Sequence, residues 1–150
     1  MDDQIEQLTV IRDLAQRRAE AAEIALAAVK RRAQMAEQRV AAADEQVSQF
    51  DAARPGREAE MRKSLEHSTD VRSADIFAMQ AGMVGLTRER DELIAHVRQE
   101  EAARDAALAS IRPAAAAAQK ARARAEKLYE ALKEIAAEAA LLDESAEADA

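Results

Sequence analysis

Glu89-Arg90-Asp91-Glu92 gathers three carboxylates around one guanidinium, a grouping that can serve acid–base chemistry. Such work needs a carboxylate whose pKa is moved by burial or by a close like charge. A slender helical pair offers nothing to take these groups out of water, so the cluster reads as a solvated face. His67 and His96 are the two histidines, and neither is expected to have a second histidine or carboxylate at i+4 suited to a metal site. The serines and threonines have no base at a useful spacing. No glycine-rich loop is present to cradle phosphate. Without cysteine there is neither a disulfide framework nor a thiolate metal site. The expectation is a non-enzyme with no catalytic residue, cofactor or metal.

Basic groups at Arg17-Arg18, Lys30-Arg31-Arg32 and Lys120-Arg122-Arg124-Lys127 raise nucleic acid as a partner. They alternate with Glu20, Glu23, Glu37 and Glu126, and no aromatic is interleaved for base stacking. A net charge of −7 also opposes a polyanionic partner. Charge pairing within and between helices accounts for them more simply. Met61, Met79 and Met83 form a further group, suited either to an adaptable binding surface or to filling a helical seam.

The elements that position these residues are set by apolar spacing. One ladder with alternating three- and four-residue steps runs Ala15, Ala19, Ala22, Leu26, Val29, Ala33, Ala36, Val40, Ala43, Val47, Phe50. A second runs from Ile76, Met79, Met83 and Leu86 through Leu93, Val97, Ala107, Ile111 and Ala118 to Leu132, Ile135, Ala139 and Leu142, with Arg90, Glu100 and Arg104 as its polar members. That alternation is the heptad repeat, which keeps one narrow stripe of two helices in contact over a long distance. The fold class expected is all-α, a two-stranded antiparallel coiled-coil hairpin forming one domain over 1–150. Its first arm covers 5–66, its turn 67–73, its second arm 74–142, and an acidic tail, 143–150, is expected to fray. Thr69 and Ser73 are candidate helix N-caps. Each arm of roughly 65 residues, at about 1.5 Å per residue, would be close to 100 Å long.

Composition agrees. Aromatics are 2%, charged residues 34%, and about a quarter of the chain is alanine. This is the make-up of a coiled coil. Alanine brings little apolar area, so at about 25 cal/mol per Å² the seam stabilises only thinly. The acidic opening Met-Asp-Asp-Gln leads us to expect no secretory leader. No apolar run approaches the roughly 20 residues needed to span a bilayer. A location in the cytoplasm is expected.

Pairing residues whose numbers total 140 makes both ladders coincide and centres the turn near Asp70. Shifts of seven also match apolar to apolar, but need a shorter or lopsided loop. In this register Pro55, Gly56, Gly82 and Gly85 fall at one level, where Arg54 and Arg57 replace apolar residues on the seam. A mid-helix proline costs about 3 kcal/mol and a glycine about 1 kcal/mol against alanine. Arg54, Pro55, Gly56, Arg57, Glu58, Met61, Met79, Gly82, Met83 and Gly85 are therefore the candidate hinge or partner-binding segment near the tip. A merely tolerated kink is the plainer alternative.

Several stretches resemble the YscO/FliJ family of type III secretion and flagellar export. They are Arg17-Arg18-Ala19-Glu20-Ala21-Ala22, Arg54-Pro55-Gly56-Arg57-Glu58-Ala59-Glu60-Met61, Leu86-Thr87-Arg88-Glu89-Arg90-Asp91-Glu92-Leu93 and Ala123-Arg124-Ala125-Glu126-Lys127-Leu128-Tyr129-Glu130-Ala131-Leu132. Their order and spacing carry the resemblance, which covers nearly the whole chain. In Lys127-Leu128-Tyr129 the aromatic is displaced by one residue from the family's pattern. The resemblance implies a central stalk at the cytoplasmic face of the inner membrane, its paired arm ends entering a hexameric secretion ATPase while the hairpin meets the export gate. It also implies that secretion chaperones could be handed over. On that reading the candidate ATPase-facing residues are Arg12, Arg17, Arg18, Arg124, Lys127, Tyr129 and Lys133, on a chain expected to be monomeric when isolated and not to insert into the membrane. An escort for chaperones and an unrelated coiled-coil spacer are the alternatives.

Overall fold

Alanine, leucine, glutamate, arginine and glutamine fill most positions of this chain, and the outcome is helix almost throughout. A computed structural model describes residues 2–67 and 69–149. They form α1 (Asp2–Glu66), α2 (Ser73–Ala109) and α3 (Ile111–Asp149), with no strand among the described residues. The protein is all-helical, with long helices. None of these helices is long and apolar enough to cross a membrane.

Three boundaries differ from expectation. The second arm is two helices: α2 stops at Ala109 and α3 starts at Ile111. Pro113 explains the break, because it has no N–H for the carbonyl of Ala109 and its ring crowds that carbonyl. In the first turn of α3 the missing N–H is one that would have no intrahelical acceptor anyway. Residues 143–149 of the acidic tail are helical and belong to α3, which runs to Asp149. The cap of α2 is neither Thr69 nor Ser73. The carbonyl of Arg72 accepts from the N–H of Asp75 at 3.0 Å and of Ile76 at 3.4 Å. Asp75 Oδ2 in turn accepts from the Arg72 N–H at 3.0 Å, closing half of a capping box. Of the expected turn, Ser68 lies outside the described residues. At the other end, α1 starts at Asp2, earlier than the residue 5 expected.

The chain divides into two compact units, Met1–Arg32 with Leu108–Ala150, and Ala33–Ala107. In the first, α1 lies against α3. Ala15, Ala19 and Ala125 form a buried cluster, with Ala121 and Leu128 packed on it. Ala15 with Ala125, and Ala19 with Ala121, are pairs whose numbers total 140. In the second, α1 lies antiparallel to α2, as Asp51 meets Arg90, Arg54 meets Thr87 and Met61 meets Gly82. Its buried residues are Ala33, Ala36, Val40, Ala43, Phe50, Leu86 and Val97, and Leu86 at 1% exposure is the largest side chain fully enclosed. Every member of the first ladder, and of the second from Met79 to Ala139, is buried or half-buried. Ile76 and Leu142 at the ends of the second ladder are exposed.

Candidate functional sites

In the second unit, the proline–glycine level is bound together by charge. The seam does not pass through Arg57, which is exposed, but from Phe50 through half-buried Arg54 and Glu58 to Met61 and Leu65. Those two charges satisfy each other one helical turn apart, Arg54 Nε donating to Glu58 Oε1 at 2.8 Å. Arg54 Nη2 also donates across the seam to Thr87 Oγ1 at 3.1 Å. Arg57 reaches across to Glu89 Oε2 at 2.9 Å, and its guanidinium stands 5.8 Å from the centre of the Phe50 ring. Arg90 clasps Asp51 through two nitrogens, at 2.9 and 3.3 Å. That hydrogen-bonded guanidinium holds the Asp51 carboxyl below the usual carboxylate range, and Asp51 raises Arg90 in return.

The glycines at this level play different parts. A Cβ on Gly82 would stand 3.1 Å from the Met61 sulfur, so Gly82 makes room for that thioether. Gly56 and Gly85 face open space, and no described residue has a positive φ. Pro55 sits inside α1 without ending it. Met61 and Met79 line one shallow recess with Leu65 and Ala78, while Met83 is half-buried and its carbonyl accepts from the Thr87 hydroxyl at 3.4 Å. Asp51 and Thr87 were absent from the sequence-based set, and Glu89 and Arg90 stood there as a solvated face. Only their placement opposite Arg54, Arg57 and Asp51 reveals the clasp, although Asp51 directly follows the last apolar residue of the first ladder.

In the first unit, two open grooves flank the alanine cluster, and four of the seven candidate residues, Arg12, Arg18, Arg124 and Tyr129, line them. One groove carries Arg12, Glu20, Glu23, Ile24, Arg122 and Tyr129 among its lining, and is crossed by an Arg122–Glu23 ion pair. Tyr129 is 55% exposed there, and farther along Lys133 joins Tyr129 and Arg12 beside Ile5. Arg12 is held by its neighbour Asp13 at 3.0 Å. The other groove is lined by Ile11, Leu14, Arg18, Lys120, Arg124 and Leu128. It is an apolar trough with three cations and no anion. Arg17 and Lys127 stand on the exposed surface. Ile11 and Leu14 were not anticipated; their signal was a three-residue step beside the main ladder, with Arg18 continuing it.

Against the expectation of no carboxylate at i+4, Glu100 stands there, its Oε1 3.9 Å from His96 Nε2 one turn along α2. Two groups fall short of a metal site, and among the described residues no cluster of three or more candidate ligands occurs. No family model, curated protein or solved structure matches this chain.

Proposed function

We propose that the protein is a non-enzymatic central stalk of a type III export apparatus, working as a two-stranded antiparallel coiled-coil hairpin between a hexameric secretion ATPase and the export gate. The observation that carries this reading is the core of the first unit, which is built mostly from alanine and flanked by exposed cations and an exposed tyrosine. Small side chains bring two helices close together, giving a shaft narrow enough for a ring pore. Exposed charge with an aromatic anchor is how such a shaft would be recognised. The resemblance of the charged segments to the YscO/FliJ family supports the same assignment, and with it a place at the cytoplasmic face of the inner membrane.

The test is direct. Adding the purified chain to the secretion ATPase of the same organism should promote hexamer assembly and raise ATP hydrolysis. Reversing charge at Arg17, Arg18, Arg124 and Lys127 should weaken both effects while leaving helicity intact. A chain that binds a secretion chaperone but leaves the ATPase unchanged would be an escort instead. Binding to neither would leave a structural spacer.

A further inference from the structure

Beside its seam, α3 carries a second stripe at alternating three- and four-residue steps: Ala117, Lys120, Arg124, Lys127, Ala131, Glu134, Glu138, Leu141. All are exposed except Ala131, which is half-buried. The charges are segregated, with three cations before Ala131 and two carboxylates after it. None of these five charged side chains makes an ion pair or hydrogen bond within the described chain. Within one helix the arrangement is unfavourable, because Lys120 with Arg124 and Glu134 with Glu138 are like-charge pairs at i,i+4. Leu141 is 65% exposed on the same stripe, and Ile11 and Leu14 of the neighbouring trough are 46% and 47% exposed.

The stripe is its own complement when reversed. Turning a second α3 antiparallel about a two-fold axis at Ala131 sets Arg124 opposite Glu138 and brings Lys127 within one residue of the level of Glu134. It brings Leu141 to the level of Lys120 and Ala121, beside the trough that Ile11 and Leu14 line. A two-fold interface uses the same patch on both copies, so every such pairing occurs twice. Alanine on the axis permits close approach of the two helices.

We propose that the first unit pairs with a second copy of this chain, antiparallel, through the stripe centred on Ala131. The paired form covers Arg18, Arg124 and Lys127, so self-association competes with any other partner that uses those cations. The interaction is charge-driven and weakens with salt.

Sedimentation equilibrium of the full chain tests the pairing without any other protein. A dimer is expected at low salt, with an affinity falling at least about tenfold between 50 mM and 500 mM salt. The double variants Arg124→Glu/Lys127→Glu and Glu134→Lys/Glu138→Lys should each be monomeric with unchanged helicity. Mixed together they should form a heterodimer, and the fourfold variant combining them should dimerise again. Because the chain has no cysteine, Ala131→Cys should give an interchain disulfide under mild oxidation, whereas Ala123→Cys, off the stripe, should not. A monomer at 100 μM in low salt overturns the proposal. So does a dimer that both double variants retain, or one that crosslinks equally at 123 and 131.

Discussion

Arg90 donates to both oxygens of Asp51, and that bond is the main cause of the lowered carboxyl pKa. A depressed carboxyl contributes stability that is fully present above its unfolded value, about 3.9. The contribution is lost as pH falls through the lower folded value. Between pH 5 and 8 the pair should therefore add no pH dependence. Below about pH 4 the wild-type chain should lose stability faster than Asp51→Asn, which has no such charge to neutralise. Thermal midpoints of the two chains should converge toward pH 2, and a gap that stays constant to that pH would show that charge is not the source. The glycines make a second prediction at this scale. Gly56→Ala and Gly85→Ala meet open space in helical backbone, so each should raise stability by about 1 kcal/mol. Gly82→Ala should gain less, since the Met61 thioether must shift. Chemical denaturation of the three single variants ranks them, and an equal gain at all three would mean that Met61 yields freely.

Apolar spacing made both ladders legible because a heptad pattern needs only the identity of one position in three or four. Every buried residue among those described lies on a ladder, and the ladder members from Ala15 to Phe50 and from Met79 to Ala139 are all buried or half-buried. Helix ends were less legible. Pro113 stands before five alanines whose helix propensity masks one missing N–H, so the break at Ser110 went unseen. The acidic tail reads as fraying on its charge, yet its alanines and glutamates are good helix formers and α3 runs on to Asp149. At the candidate sites, residue types were legible and faces were not, since which arginine meets which carboxylate depends on register. Register itself can be tested inside the second unit. Ala33→Cys with Ala107→Cys, whose numbers total 140, should close an intramolecular disulfide if this register brings their Cβ atoms to bridging distance. Crosslinking only between seven-residue-shifted positions would refute that pairing. Pro113→Ala should join α2 to α3 and raise the thermal midpoint. The gain should stay below the roughly 3 kcal/mol of a mid-helix proline, because the first turn forgives it.

For the molecule as a whole, stability is uneven because its helix breakers are concentrated. All three glycines and Pro55 lie between residues 55 and 85. Against alanine they cost about 1 kcal/mol for each glycine and about 3 for the proline. Three ion pairs, Arg54–Glu58, Arg57–Glu89 and Arg90–Asp51, act at or beside the same level. Their side chains remain partly exposed, so solvent screens each pair and leaves it little net stabilisation. The breakers outweigh the clasp. Local opening should therefore be easier there than in the stretch of α1 where Ala33, Ala36, Val40 and Ala43 are buried. Amide exchange should be faster over residues 54–66 and 76–86 than over 33–50 and 90–104, read by mass spectrometry on the intact chain. Uniform protection across these segments would show that the ion pairs compensate fully. If the opening serves export, Pro55→Ala with Gly85→Ala should slow exchange at this level, raise the thermal midpoint and reduce secretion in cells, while leaving ATPase stimulation by the first unit unchanged. Slower exchange with undiminished secretion would mean that the level is a tolerated kink and that bending has no part in the work.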